Sequence, residues 1–465
     1  MTNRTEALAD YIAGAEFTDF PEAVVRKAKR CILDHIGCTL GGFATDSGRN
    51  VAGLMEALGG REDATILGTR TKVALPNAAL ANTYMANILD YDDTYHGHPG
   101  CTVCPTALGG GEMVNASGKD VLAATIVGYE VSSRIAASLR HNRATSDKVR
   151  GITTQTFGAV SSAARILSLE SEQVRDALGI AGATAPVQSN AKTSGEENTA
   201  PTMKIGFYAC SMIGAISALL ARNNITGPHN ILDGETGFWR MACADGCDYE
   251  GMTRGLGEEY EIMNVAFKPY SCCRWLHSSL DAALDLVKEH GIDVWKIASV
   301  DVKTVATKTK VGYLTNPKPC NIVEAVFSLP YSMAVALSGI EPGPAWVSSK
   351  TMQDERILEL ASKVHCVFEE KSEAENERNP HRWPASIKIR FDEAVYSNEV
   401  EFPTGSPANM ISEAELDAKF LRLARHVLDE STASEVKRLV DRLERLDGLA
   451  ELLSLLNSAR KNREN

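Results

Sequence analysis

Ile297-Ala-Ser-Val300-Asp-Val302-Lys-Thr304-Val305 is the first stretch of this chain that a helix cannot explain. Its apolar and polar side chains alternate, with Val300, Val302 and Thr304 on one face, the period of a half-buried strand. The chain before it reads differently. Pro21 to Phe43 opens on a proline, spaces Val24, Val25, Ala28, Ile32 and Ile36 at helical intervals, and stops at Gly41-Gly42. Asn77 to Leu89, Gly118 to Leu139, Thr156 to Leu169 and Ile205 to Ala221 share that habit, the last closed by Asn223-Asn224 and Gly227-Pro228. Their many Ala, Gly and Ser residues let helices approach closely.

Around the opening strand the pattern is mixed. Ser279 to Glu289 is still helical, and helices are expected over Ile322 to Ser338 and Lys350 to Val364. Further strands are expected over Ala385 to Phe391 and Glu399 to Phe402, around the turn-like Asp392-Glu393. From Ser412 the helical period returns, and Ser412-x-x-Glu415 fits a capping box. The expected fold is therefore mainly α with an inserted α/β domain. A large helical domain takes both chain ends, 1–267 and 403–465, and a smaller α/β domain takes 268–402. No internal repeat is visible, and Ser458 to Asn465 reads as disordered.

At 465 residues the chain exceeds what one small core serves. A net charge of −12 argues against nucleic acid as the main partner, though a local Lys/Arg pocket can still hold an anion. No run approaches the roughly 20 apolar residues that span a bilayer, and Met-Thr-Asn-Arg-Thr-Glu has no secretory apolar core. Eleven cysteines, an odd number, read as reduced thiols, so the cytoplasm is the expected compartment. Neither a phosphate loop nor a dinucleotide fingerprint is present, so no cofactor is implied.

Chemistry concentrates in two places. Asp90-Tyr-Asp92-Asp93-Thr94-Tyr-His96-Gly97-His98-Pro-Gly-Cys101-Thr-Val-Cys104 puts carboxylates, imidazoles and thiols behind one apolar helical run. It offers what acid/base catalysis requires. It also reads as a polar helix end with solvated histidines, or as a zinc site of His96, His98, Cys101 and Cys104. The zinc reading is disfavoured because both thiols open the next helix and no second Cys/His pair matches, Cys243 and Cys247 being poorly spaced. The second place is Phe267-Lys268-Pro-Tyr270-Ser-Cys272-Cys273-Arg274-Trp-Leu-His277, basic residues ahead of a helix start, suited to carboxylates or simply an interdomain linker.

Both stretches resemble the MmgE/PrpD family: "LDYDDT…HP" in the first and "FKPY…CCR…H" in the second. So do Ile32-Leu-Asp34-His-Ile-Gly37, Gly128-Tyr-Glu130 with Arg134, Gly158 with Ala163-Ala164-Arg165, Thr226-Gly-Pro228, Glu235-x-Gly237-Phe238, Glu324-Ala-x-Phe-Ser328-Leu-Pro-Tyr331 and Gly405-x-Pro-x-Asn409. The family comprises 2-methylcitrate dehydratases, cis-aconitate decarboxylases and iminodisuccinate epimerases. The resemblance implies the two-domain helical fold, a homodimer, and an enzyme that works on a small di- or tricarboxylate; the poor ligand geometry of the Cys/His cluster predicts that it needs no metal.

It also implies roles. Asp90 and His98 match the family's active-site aspartate and histidine, Lys204 its lysine, and Lys268, Arg274 and Tyr331 its later site positions. Two family histidines are missing: Ile205, Gly206 and Phe207 follow Lys204 where Lys-x-x-His is usual, and Lys148-Val-Arg150-Gly-Ile-Thr153 replaces a His-Pro. His96 or His277 would then substitute, or the chemistry differs. The hard step common to the family moves a proton beside a carboxylate. On this reading Asp90 orients His98, and the carboxylate raises the imidazole's pKa. Lys204, Lys268, Arg274 and Arg150 hold substrate, and Tyr331 protonates a leaving hydroxyl or a carbanion. Dehydration of a 2-methylcitrate-like substrate is the first expectation, decarboxylation or epimerisation the next, and a non-catalytic carboxylate binder the reading from another class.

Overall fold

The computed structural model describes residues 3–140, 149–189, 204–306, 314–370 and 379–457. The alternation that opened the sequence reading is a ten-residue strand, Ile297–Ala306. Val300, Val302 and Thr304 are buried while Asp301 and Lys303 are exposed, as a one-faced sheet demands. It joins a four-stranded sheet in the order Ala394–Val400, Ala385–Phe391, Ile297–Ala306, Val364–Glu370. Val364–Glu370 runs parallel to it in the register Val300↔Val364, and Ala385–Phe391 antiparallel in the register Val300↔Ile389. The helix His277–His290 supplies Leu280, Ala283 and Leu286 to the same core as Ile387 and Ile389 of the sheet.

The rest is mainly helical. Gly118–Ser138 crosses Gln155–Ile166 so closely that a Cβ on Gly158 would lie 2.7 Å from the Ser132 Cβ. The late helix Glu413–Ala424 returns to the early helix Glu22–Phe43. There Gly37 admits Phe420, whose Cα would stand 3.3 Å from an added Cβ, and Lys419 Nζ is ion-paired with Asp34 Oδ1 at 2.6 Å. The segments leading into and out of the sheet region run together, with Phe267 N–H donating to the Gly405 carbonyl at 3.0 Å.

Several expected elements shift. The helix expected from Ile322 to Ser338 is two, Ile322–Phe327 and Leu329–Leu337, because Ser328 caps the second and Pro330 occupies its first turn. The helix expected to reach Val364 ends earlier, as Ser349–Met352 and Glu355–Ser362, and Val364 begins a strand. The last strand starts at Ala394, not Glu399, directly after the Asp392-Glu393 turn. The Ser412/Glu415 box forms as expected. The tail from Ser458 to Asn465 lies outside the described residues. Among the described residues no helix is long and apolar enough to cross a membrane.

Candidate functional site

Asp90 sits just past the helix Leu75–Asn87, in left-handed backbone at φ 49°, a conformation that Asp tolerates better than most residues. This throws its carboxylate inward, where it is buried and accepts from two lysines. Lys204 Nζ, from the start of the helix Ile205–Arg222, donates to Oδ1, and Lys268 Nζ donates to Oδ2 at 3.0 Å and to the Asp90 carbonyl at 2.7 Å. Burial alone would push the Asp90 carboxyl up. Lys204 and Lys268 outweigh it and hold the group well below the usual range.

His98 precedes the helix Pro99–Val114. The chain reaches it through a tight turn: Thr94 pairs with Ala266 in both directions, Thr94 Oγ1 donates to the Gly97 carbonyl at 2.8 Å, and Gly97 adopts φ 135°. A Cβ at Gly97 would meet Gln155 Nε2 at 2.8 Å, so both backbone and space call for glycine. The turn brings the imidazole back as expected, but its orienting carboxylate differs. His98 Nδ1 lies 3.1 and 3.2 Å from the Asp92 oxygens, whereas its Nε2 lies 3.8 Å from Asp90 Oδ1. Asp92 is itself fixed by Asn87 Nδ2 at 3.0 Å, and His98 and Lys268 overcome its burial to hold it ionised. An ionised carboxylate only accepts, so Nδ1 carries the hydrogen and Nε2 presents its lone pair.

The expected rise in the His98 pKa is also corrected. Burial lowers it and Lys268 adds to that; Asp92 opposes both but does not prevail. The imidazole is therefore neutral at neutral pH. Burial and the neighbouring Lys268 likewise lower Lys204 despite Asp90, while Asp90 and Asp92 raise Lys268 against its burial.

The structure thus gathers Asp90, His98, Lys204 and Lys268 from three distant parts of the chain. The other expected site residues have partners of their own. Arg274 donates to the Thr404 carbonyl at 2.7 Å and the Pro403 carbonyl at 3.2 Å, pinning the segment that leaves the sheet region. His277 places Nε2 3.1 Å from the Cys272 carbonyl and Nδ1 3.4 Å from Arg274, with burial and that guanidinium driving its pKa well down. Tyr331 donates its hydroxyl to the Trp346 carbonyl at 2.6 Å. His96 is half-buried with its ring 4.4 Å from Tyr95, rather than facing solvent. Arg150 pairs through its backbone with Gln188, and its side chain lies outside what is described.

Three contributors are given no role by the sequence. Asp92 carries the same "DYDD" signal as Asp90, and only the fold separates their tasks. Phe207, three residues after Lys204, sets its ring 5.0 Å from His98 at 69°, and Phe327 lies 5.2 Å from Lys204 Nζ. The thiols are used locally: Cys101 Sγ donates to the His98 carbonyl at 3.1 Å, and Cys104 lies by the Tyr129 hydroxyl. Among the described residues no three His, Cys, Asp or Glu side chains are grouped to hold a metal.

A buried carboxylate, a neutral imidazole and two lysines in mutual contact define a class of protein suited to moving protons beside an anion. The chain belongs to the MmgE/PrpD family, whose N-terminal domain matches residues 6–249 and whose C-terminal domain matches residues 270–445. It is similar to cis-aconitate decarboxylase of Aspergillus terreus, 25% identical over 97% of this chain and 96% of the relative. The human cis-aconitate decarboxylase is 27% identical over 97% of this chain and 94% of its own, and the mouse enzyme 26% over 97% and 93%.

Proposed function

We propose that this protein is a lyase acting on a small di- or tricarboxylate, and that it decarboxylates a cis-aconitate-like substrate. The observation that carries the reading is the contact of neutral His98 with Asp92 on one side and the Asp90–Lys204–Lys268 group on the other. An ammonium carries three N–H groups; Lys204 gives one to Asp90 and Lys268 gives two, leaving donors for a substrate carboxylate.

In the proposed reaction the bond between the carbon skeleton and one carboxylate breaks. Carbon dioxide leaves, and the electron pair remains on a carbon beside another carboxylate. Lys268, whose pKa is raised, stays cationic and stabilises the developing charge. Lys204 is the ammonium that gives up its proton more readily, so it delivers that proton to the carbon and is recharged from water. His98 Nε2, oriented by Asp92, takes a proton from the adjacent carbon and gives the same proton back to the skeleton as the double bond shifts, so the reaction consumes one proton in all.

Dehydration of a 2-methylcitrate-like substrate is the second reading. It needs an acid for the departing hydroxyl, and the expected one, Tyr331, already donates to a buried carbonyl, which favours decarboxylation. We also propose that 1–267 with 403–465 form one domain and 268–402 an inserted one, supported by the pairing of Phe267 with Gly405 at the two crossings.

The test is incubation with cis-aconitate, alkylcitrates and hydroxy-diacids, with products identified by mass spectrometry in deuterated water. Loss of carbon dioxide with uptake of one deuterium supports the proposal, loss of water supports the second reading, and exchange without mass loss indicates epimerisation. Absence of turnover across the panel would leave a carboxylate-binding relative.

A further inference from the structure

Away from that cluster, a cavity of about 190 Å³ opens between the first turns of Glu22–Phe43 and the segment from Gly405 to Leu416. Its walls are mostly apolar: Val265, Phe267, Ile411 and Leu416 inside, with Met263 and Met410 at the mouth. Met410 is 76% exposed and Met263 43%, unusual for large apolar side chains bordering a hollow.

The cations on this wall differ in how they are satisfied. Arg30 is ion-paired with three carboxylates, Glu413 at 3.2 Å, Asp417 at 2.8 Å and Asp441. Arg26 at the rim meets only Glu22, at 4.0 Å with both side chains largely exposed. Lys27 is the outlier. Its Nζ donates to the Val265 carbonyl at 2.6 Å and lies 4.3 Å over the Phe267 ring, both part of the cavity lining. No carboxylate among the described residues pairs with it, although an ammonium has three hydrogens to give. Burial lowers its pKa; Cys31, Asp93, Asp34 and Glu413 act the other way from a distance. A half-buried ammonium facing an apolar hollow lacks a counter-ion, and leaving it so is costly. Among the described lining residues the one carboxylate, Glu413, is turned to Arg30.

We propose that this cavity is a second ligand site, which takes a small monocarboxylate with a short apolar chain. The carboxylate pairs with Lys27 and the chain lies against Val265, Phe267 and Leu416. The Asp90–His98 cluster contributes nothing to it, so it stands independently of the reaction proposed above.

The experiment is calorimetric titration of the full chain with hexanoate and, separately, with hexanol. Saturable one-to-one binding of hexanoate is expected, with hexanol weaker by roughly tenfold or more, since the charge-assisted contact is lost. Lys27→Met should weaken hexanoate to a similar degree, and Met410→Glu, at an exposed position that folding does not need, should do the same by repulsion. His98→Asn should leave the binding unchanged. The proposal is overturned if hexanoate does not bind, if hexanol binds equally well, or if His98→Asn abolishes binding that Met410→Glu leaves intact.

Discussion

His98 and His96 are two residues apart and face opposite circumstances. His98 is clasped by Asp92 and aimed at Asp90, whereas His96, at φ 47°, packs on Tyr95. Replacing His98 with Asn should lower kcat by about a hundredfold or more while the protein still folds. Asp92→Asn should fall between, because the amide can hold the ring without favouring its working tautomer. His96→Asn should stay within a few fold of the parent. Steady-state kinetics with circular dichroism check the order, and an essential His96 beside a dispensable His98 contradicts the assignment. The same imidazole sets the acid limb. In the proposed reaction it works neutral, and its folded pKa lies below the ordinary 6.5, so activity should hold at pH 6.5 and fall only below it. The sign for stability is the same. A histidine depressed on folding binds fewer protons in the native state, so its contribution is complete above 6.5 and declines as pH drops toward the folded pKa. A pH–rate profile of kcat/KM whose acid midpoint lies above 6.5 would contradict the burial argument. Asp90, His98, Lys204 and Lys268 can be picked out in the sequence, but their pairing cannot. Asp90 and Asp92 look alike in a string of letters, and it is the left-handed turn at Asp90 that sends one to the lysines and leaves the other to the histidine.

Elements decide what the remaining basic and sulfur-bearing residues do. Arg274 stands ahead of the helix His277–His290 and spends its fork on the carbonyls of Pro403 and Thr404. A lysine there keeps the charge but loses the two-pronged grip. Arg274→Lys should therefore cost about 1–3 kcal/mol of stability in denaturant titrations and leave KM nearly unchanged; a large rise in KM with unaltered stability would return it to the substrate. The helix Pro99–Val114 opens with Cys101 and Cys104, both pushed well up in pKa by burial and so kept as thiols. Protein treated with a chelator and desalted should retain its turnover rate, and metal analysis showing stoichiometric zinc lost together with activity would refute this. Periodicity predicted most helices to within a few residues because their apolar faces repeat over many turns. It failed at Val364–Glu370, where one short alternating run follows a helix with no glycine or proline between them. It failed again at Ser328, whose capping of Tyr331 N–H divides one apolar run into two helices.

Across the whole molecule, apolar packing ignores the boundary that composition suggests. Tyr84, Ile88, Leu89 and Leu423 from the helical body share one core with Leu280, Val300, Met333 and Ile387 from the sheet region. Detaching either part would expose that surface to water at about 25 cal/mol for each Å². Calorimetric melting should therefore give one transition rather than two; resolved peaks would mean that the parts unfold separately. The return of the helix Glu413–Ala424 to the start of the chain also bears on how the protein is made. Lys419 is the partner of buried Asp34 and also donates to the Tyr91 carbonyl at 2.7 Å, next door to Asp90. During synthesis the ribosome issues Asp34 and Tyr91 hundreds of residues before Lys419. Until then the aspartate has no counter-ion, and burying it in its charged form is costly. We therefore expect the N-terminal helices to pack fully only once Lys419 has been made, so a chain ended before it should be cut by protease faster than the full chain.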